Sequence, residues 1–249
     1  VAPGDPIDAL LGTRAPAAAR AALRAQLGLD QPLWHQYGHF LSQLLHGELG
    51  QSLTNQEPVT AVIRQSLPAS LELGVVALVL AAVVGLAVGL SGVARPEGKL
   101  DLAGRLYGIG TYALPPFWAA MVVQLVFAVW LGWLPVIGQW LSPVLILAID
   151  NAGQVAKPLH EDLKEASTAA HIRTARAKGL SPTRIVLRHL LPNTLTTVVA
   201  LGGLILAGMI GGALTMEVLF GLPGLGTLAY QAISGRDYPV IQAVVLVFA

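Results

Sequence analysis

The chain has 249 residues, of which 54% are hydrophobic and 12% are charged, with a formal net charge of +1. Soluble domains carry about 25% charged residues, so this composition indicates a membrane protein. The small net charge gives no sign of nucleic-acid binding, and the absence of cysteine excludes disulfides and thiolate metal sites.

Residues 1–66 form a mixed segment in which no apolar run reaches the roughly 20 residues that cross a bilayer. Turn-forming residues fill 1–8, and the pattern predicts short amphipathic helices over 15–27 and 34–49. We therefore expect residues 1–66 to be an extramembrane or interfacial segment.

Residues 67–249 contain the long apolar runs and are expected to form an all-α, polytopic transmembrane helix bundle. The predicted spans, separated by polar residues, cover 67–93, 106–134, 141–156 and 190–216. The last run, 240–249, is too short to cross a bilayer by itself. Pro115 and Pro116 lie inside the second span and are expected to kink it.

The loops between these spans differ in charge. Loops 94–105 and 157–189 together carry ten Lys and Arg residues, whereas the opposite connections carry only Arg236. Cytoplasmic loops are enriched in Lys and Arg, so both basic loops are expected in the cytoplasm and residues 1–66 outside. The simplest way to deliver that outer segment is a further helix before it, and a Tat- or Sec-type signal is the alternative.

The basic loop 157–189 contains a polar helix that would be costly in contact with lipid. Its Ala, Arg and Lys residues favour a helix, Gly179 suits the position just after the helix end, and Ser181-Pro182 suits the start of the next helix. The pattern therefore predicts a short helix that docks into a groove on a soluble partner. Small side chains would let another backbone approach closely, namely Ala170, Ala175 and Ala177.

The same loop resembles the cytoplasmic signature of the integral membrane permeases of binding-protein-dependent ABC importers. That signature reads Glu-Ala-Ala, three residues, Gly, nine residues, Ile, one residue, Leu-Pro. The residues that match it are Ala175, Gly179, Leu191 and Pro192, and those that differ are Arg173, Thr174 and His189. The departures are typical of the dipeptide/oligopeptide/nickel branch, in which the loop reads close to Arg-Thr-Ala-Arg-Ala-Lys-Gly-Leu.

Further stretches resemble that branch in the same order along the chain, and residues 149–163 match it poorly. The matching stretches are 29–33, Tyr37, 47–52, 58–59, 67–73, 217–226 and 236–239. The resemblance therefore covers most of the chain and implies a type I ABC importer permease, multi-pass in the cytoplasmic (inner) membrane. The resemblance implies a further helix before residue 1 and a continuation of the last helix beyond residue 249.

The implied activity is ATP-driven import of short peptides by alternating access, with nickel chelates or glutathione-like solutes as alternative cargoes. The implied ATPase-coupling residues are His171, Ile172, Arg173, Thr174, Ala175, Arg176, Ala177, Lys178, Gly179, Leu191 and Pro192. The implied partners are a second homologous permease, two P-loop ATPase subunits or domains that hold ATP-Mg, and an extracytoplasmic substrate-binding protein. The chain itself has no phosphate-binding P-loop motif, so we expect no enzyme activity and no cofactor in it.

Acidic residues inside apolar spans are candidates for a substrate pathway, because ionisable groups there usually face the bundle interior or water. Glu72 and Asp150 are such residues, although an interfacial or internally paired carboxylate is the alternative for each. Glu217, Pro223 and Gly224 resemble the external gate loop of the family, and a plain turn explains them equally well.

Two other functions are compatible with the sequence. A passive channel would need no coupling loop, and an intramembrane hydrolase would need a convergent set of catalytic groups, for which neither Gly-x-Ser-x-Gly nor His-Glu-x-x-His is present. His35 and His39 share one helix face, but no acidic third ligand is evident, so no metal site is expected.

Overall fold

A computed structural model describes residues 7, 11, 15–26, 28–91 and 98–248. Helices dominate these residues and no β-strand occurs among them, which confirms the predicted all-α class. An isolated antiparallel bridge joins Gln51 and Pro58. The helices are α1 (Ala17–Gln26), α2 (Leu33–Leu45), α3 (Val59–Ser91), α4 (Lys99–Ala113), α5 (Pro116–Val123), α6 (Leu141–Ala166), α7 (Ala170–Ala177), α8 (Pro182–Ile185), α9 (Leu191–Phe220), α10 (Leu225–Gly235) and α11 (Tyr238–Phe248).

One described helix, α3, is long and apolar enough to cross a membrane, and up to three spans result if each of two bent helix pairs counts as one. Helix α3 begins at Val59, so the expected division of the chain at 66/67 falls inside it. The apolar run starts later because Arg64, Gln65 and Ser66 interrupt it, yet the helix continues through them and through Pro68.

The second predicted span is broken at the two prolines. Helix α4 ends at Ala113, Leu114 has extended backbone, and α5 starts at Pro116. The segments Asp101–Thr111 and Pro116–Trp130 meet at 98°. A proline disfavours the α conformation in the residue that precedes it, and this restriction at Leu114 explains the break. The expectation of a kink is thus confirmed in a stronger form.

The third predicted span lies in α6, which is a continuous 26-residue helix. It is long enough to cross a membrane but not apolar enough, because Asp150, Asn151 and Gln154 lower its mean hydropathy. Helix α6 also continues to Ala166, so the first part of the expected loop 157–189 is helical.

The chain divides into two compact units, one made of Leu71–Leu222 and the other of the described residues up to Ser70 and from Pro223 onward. The larger unit contains a core drawn from α3, α5, α6 and α9. Its largest fully buried members are Leu73, Leu147, Met216 and Phe220. Moving a side chain of this size from water into a core stabilises a fold by about 1.5–3 kcal/mol. Where lipid replaces water around the protein this contribution is smaller, because lipid is itself apolar.

Close crossings within this unit depend on glycine. A Cβ on Gly85 of α3 would lie 2.6 Å from Val155 Cβ and 2.8 Å from the Ala152 carbonyl oxygen, both on α6. Gly89, one turn further, meets Leu159 in the same way, with 2.9 Å to its Cδ2 atom. Helices α3 and α6 therefore approach as closely as small residues allow in membrane bundles.

The smaller unit is held together by a buried carboxylate. Ser52 Oγ donates to Asp237 Oδ2 at 2.5 Å, and the Thr54 amide donates to the same oxygen at 3.2 Å. Ser52 and Asp237 are 4% and 3% exposed. In the same unit Ser70 Oγ accepts the Leu225 amide at 2.7 Å and so caps α10.

Candidate functional site

The predicted docking helix exists as α7, and a tight connection from α6 leads into it. Ser167 Oγ donates to the Lys164 carbonyl at 2.7 Å and Thr168 Oγ1 donates to the Glu165 carbonyl at 2.8 Å. These bonds satisfy carbonyls that a helix end otherwise leaves unpaired. Ala169 then turns to extended backbone at the N-cap of α7.

The end of α7 is fixed by Gly179. Its φ is +76°, which L-residues rarely adopt, and its amide donates to the Arg176 carbonyl at 2.9 Å. The Leu180 amide donates to the Ala175 carbonyl at 3.3 Å. This pair of bonds is the Schellman motif, with glycine at the position that follows the C-cap. The predicted glycine stop is confirmed.

The next helix starts where the sequence predicted. Helix α8 begins at Pro182, and Ser181 Oγ accepts the Arg184 amide at 3.4 Å. A π-helical segment, Val186–Leu190, joins α8 to α9, in which Pro192 occupies the first turn. Since Pro192 has no N–H, an ordinary α-helical bond to Arg188 cannot form, and the wider π turn lies just before this position.

Helix α7 has one buried edge and one exposed face. Ile172 is fully buried and Ala175 is 6% exposed, and both pack into a cluster with residues of α6, α8 and the π-helical segment. The other members of that cluster are Leu159, Leu163, Ile185, Val186 and Leu190. The residues left exposed are His171, Arg173, Thr174, Arg176, Ala177, Lys178 and Gly179.

This arrangement corrects one expectation. Ala175 was expected to offer close approach to another backbone, but its side chain faces the chain's own cluster. Ile172 is likewise unavailable to a partner. The helical period explains why both side chains are buried, because residues 172 and 175 are three apart and share one helix face. Ala170 and Ala177 do remain exposed, as a docking surface requires.

Asp150 lies in a cavity of about 410 Å³ within the larger unit. The Gln154 amide nitrogen is 3.4 Å from Asp150 Oδ2 and 3.5 Å from Asn151 Oδ1. The cavity is bounded by α6, by the break at Pro115-Pro116 and by α9 at Gly208–Gly212. A half-buried carboxylate flanked by two amides can bind an ammonium group and peptide N–H donors.

The other acidic and loop candidates lie elsewhere. Glu72 is exposed on α3 and does not line the Asp150 cavity. Glu217 is 1% exposed within α9, and its backbone carbonyl accepts the Leu222 amide at 2.9 Å. Pro223 is exposed, whereas Gly224 is buried at the N-cap of α10.

The structure also brings together three ionisable side chains, Asp101, Arg105 and His160, which the sequence did not single out. Asp101 is 3% exposed, Arg105 Nη2 donates to its Oδ2 at 2.5 Å, and His160 Nε2 is 3.1 Å from its Oδ1. The i, i+4 spacing of Asp101 and Arg105 was visible in the sequence, but no local signal connects His160 to them.

Comparison with known proteins identifies relatives of the whole chain. Residues 77–249 match the family "Binding-protein-dependent transport system inner membrane component". The "Glutathione transport system permease protein GsiC" of Pectobacterium atrosepticum is 37% identical over 252 residues, covering 99% of this chain and 82% of that protein. The protein of the same name from Escherichia coli (strain K12) is 35% identical over the same shares.

Solved structures agree on the fold. An inward-facing conformation of the MetNI methionine ABC transporter matches with a TM-score of 0.65 at 24% identity, covering 76% of this chain and 88% of that chain. An amino acid ABC transporter crystallised with histidines matches with a TM-score of 0.59 at 18% identity. At these identities the likeness shows the fold alone.

Proposed function

Since this chain belongs to the family of binding-protein-dependent transport system inner membrane components, we propose that α7 is the helix through which an ATPase drives it. The chain is the transmembrane permease subunit of an ABC importer in the inner membrane, and it is not itself an enzyme. Such a permease works with an ATPase, which uses ATP-Mg, and with a substrate-binding protein.

The observation that carries the proposal is the two-sided packing of α7. Its inner edge is locked to α6 and the π-helical segment through Ile172 and Ala175, while its outer face offers basic and small polar groups to water. A helix that receives a push needs a buried anchor, because the force must pass to the bundle without melting the helix.

The path of that push follows from the same contacts. Leu159 and Leu163 of α6 pack in the cluster that holds Ile172. Movement of α7 would therefore displace the end of α6, and packed helices respond to such displacement by shifting as rigid bodies. The alternation between inward- and outward-open states would follow from this shift.

For the cargo we propose short peptides, with glutathione as a specific candidate. The relatives named for glutathione transport share 35–37% identity with this chain, and glutathione is itself a tripeptide. The Asp150 cavity supports this class, since its carboxylate can accept the α-ammonium group and the half-buried Gln154 amide can bind a peptide group. A nickel chelate is the alternative cargo of the same branch.

The remaining parts of the proposal concern gate and assembly. Glu72 would meet the cargo ammonium group on the pathway, and Glu217 with Pro223 and Gly224 would form an outer gate. We place loops 94–105 and 157–189 in the cytoplasm and residues 1–66 outside. A second homologous permease and two ATPase subunits or domains would complete the importer.

Replacing Ala177 with tryptophan in the full-length importer tests the docking role. Ala177 is exposed on α7, so the larger ring adds bulk to the outer face without entering the chain's own cluster. We expect co-purification of the ATPase and uptake of labelled glutathione to fall at least about tenfold, as when one central interface contact is lost.

Ala18→Trp is the matched control, because Ala18 is an exposed alanine in α1, outside the proposed surface. It should leave both readouts at the wild-type level. Unchanged ATPase binding and uptake in Ala177→Trp would contradict docking at α7. A wild-type importer that binds its ATPase but takes up neither glutathione nor another short peptide would contradict the cargo assignment and leave the docking role intact.

A further inference from the structure

Helix α2, which belongs to the smaller unit, separates its side chains by polarity. With 3.6 residues per turn, its apolar residues fall within one arc of about 140° around the helix axis, and its polar residues occupy the opposite side. The apolar set is Leu33, Trp34, Tyr37, Phe40, Leu41, Leu44 and Leu45. The polar set is His35, Gln36, His39, Ser42 and Gln43. We call the first set the apolar face of α2.

The apolar face is not covered by the chain itself. The structure describes every residue of α2, and none of them is buried. Five members of the face are 39–86% exposed, namely Leu33, Trp34, Tyr37, Leu41 and Leu45. A contiguous apolar surface is costly in water and marks a contact with a partner or a membrane.

The composition of α2 fits a lipid surface. The helix contains no Asp, Glu, Lys or Arg, so no full charge has to lose its hydration when the apolar face enters lipid. Its two largest exposed members, Trp34 and Tyr37, carry a polar N–H or O–H on an apolar ring. Such side chains are enriched where the hydrocarbon of a membrane meets water.

The connection to α3 keeps α2 close to the membrane. The amide of Val59, the first residue of the helix that can cross a membrane, donates to the Gly50 carbonyl at 3.1 Å. Leu45 ends α2 five residues before Gly50, and five residues extend at most about 18 Å. The apolar run of α3 begins at Leu67, about 12 Å further along that helix. These lengths leave α2 within reach of the bilayer surface.

We infer that α2 lies along the membrane–water interface, with its apolar face immersed in lipid and its histidine- and glutamine-bearing face in water. Amphipathic helices in this position bury the apolar face about 5–10 Å into the boundary between headgroups and acyl chains. Since α2 has no Lys or Arg, its adsorption draws on apolar area rather than on attraction to anionic lipids.

A lipid surface explains the exposed face better than a soluble protein does. A protein that binds and leaves during transport would return the apolar face to water each time, whereas the bilayer is always present around an inner membrane component. The anchored helix would hold the loop 46–58 at the membrane surface, where Ser52 bonds to Asp237. The inference depends on neither the coupling role of α7 nor the cargo.

Site-directed spin labelling of the full-length importer in lipid nanodiscs tests the inference. The nanodiscs contain phosphatidylethanolamine and phosphatidylglycerol. The 249 residues contain no cysteine, so one introduced cysteine carries the label when the partner subunits are also free of cysteine. Leu41→Cys places the label on the apolar face, and Ser42→Cys is the matched control, because Ser42 is the next residue, is also exposed and belongs to the polar set.

Power saturation of the spin label compares collisions with oxygen, which concentrates in lipid, and with a water-soluble nickel chelate. We expect the label at 41 to favour oxygen and to lie about 5–10 Å inside the headgroup boundary, and the label at 42 to favour the nickel chelate. Tyr37→Cys should behave as Leu41→Cys does, because positions 37 and 41 share a helix face. His35→Cys should behave as Ser42→Cys does.

Three results would overturn the inference. Equal access of the nickel chelate to labels at 41 and 42 would place the apolar face in water. Protection of the label at 41 from both reagents would show that a protein covers it. Preference for oxygen at both positions would place the whole helix inside the hydrocarbon rather than at its boundary.

Discussion

Replacing Gly179 with alanine should separate ATP hydrolysis from uptake. Gly179 holds φ +76° and closes the Schellman motif that ends α7. No atom lies within 4 Å of a Cβ built at this position, so alanine introduces no clash. Its only local effect is the cost of holding an L-residue in the left-handed region.

That cost is about 1–2 kcal/mol. It acts on the last turn of α7, where the Leu180 amide reaches the Ala175 carbonyl and the buried edge of the helix ends. An energy of this size shifts the balance between the capped and the frayed turn by about five- to thirtyfold. Transport per ATP hydrolysed should fall by up to that factor if the capped turn is the form that transmits force.

The chain offers a closely matched control in Gly47, which ends α2. Its φ is +75°, and a Cβ there also meets no atom within 4 Å. The Gly47 amide donates to the Leu44 carbonyl at 3.0 Å and the Glu48 amide to the Gln43 carbonyl at 2.9 Å, which is the same motif. Gly47→Ala should therefore cost α2 the same energy and leave coupling unchanged.

The assay is uptake of labelled glutathione, or of a short peptide, by proteoliposomes that hold the complete importer, with ATP hydrolysis measured in parallel. Gly179→Asn should fall between wild type and alanine, because asparagine enters the left-handed region more readily despite its larger side chain. Wild-type coupling in Gly179→Ala would refute the reasoning, as would an equal loss in Gly47→Ala. A greater loss with asparagine than with alanine would show that bulk, rather than backbone conformation, is what matters at this position.

Three further predictions concern helix packing, a buried hydrogen bond and the cargo cavity. Gly85→Ala should lower the melting temperature of the detergent-solubilised protein, because its Cβ meets α6 backbone at 2.8 Å, whereas Gly74→Ala on the same helix has open space and should leave it unchanged or raise it. A double-mutant cycle with Ser52→Ala and Asp237→Ala should give a coupling energy of about 1.5–3 kcal/mol in unfolding measurements, as for a buried hydrogen bond to a charged acceptor; a value near zero would contradict the role of this bond. Asp150→Asn keeps the volume and removes the charge, so uptake of a peptide with a free ammonium group should fall at least about tenfold while an N-acetylated peptide is unaffected; equal effects on both would exclude an ammonium contact.

Much of the fold could be predicted because its signals are local. The apolar run of α3, the break at Pro115-Pro116 and the stop at Gly179 each depend on a few neighbouring residues. Helix propensity, the restriction before proline and the left-handed preference of glycine act within one or two turns of chain. The start of α3 was missed because a helix can run through polar residues that interrupt an apolar pattern.

The sequence by itself determined the class of protein, the position of the short helix α7 and its two ends, since composition and capping chemistry require no knowledge of distant contacts. Only the tertiary structure decided that Ala175 faces inward, that Asp101 meets His160, and that Ser52 meets Asp237 across 185 positions of chain. The first two of these depend on which helix faces meet. Many registers satisfy the same apolar pattern, and close packing at glycines such as Gly85 selects one of them.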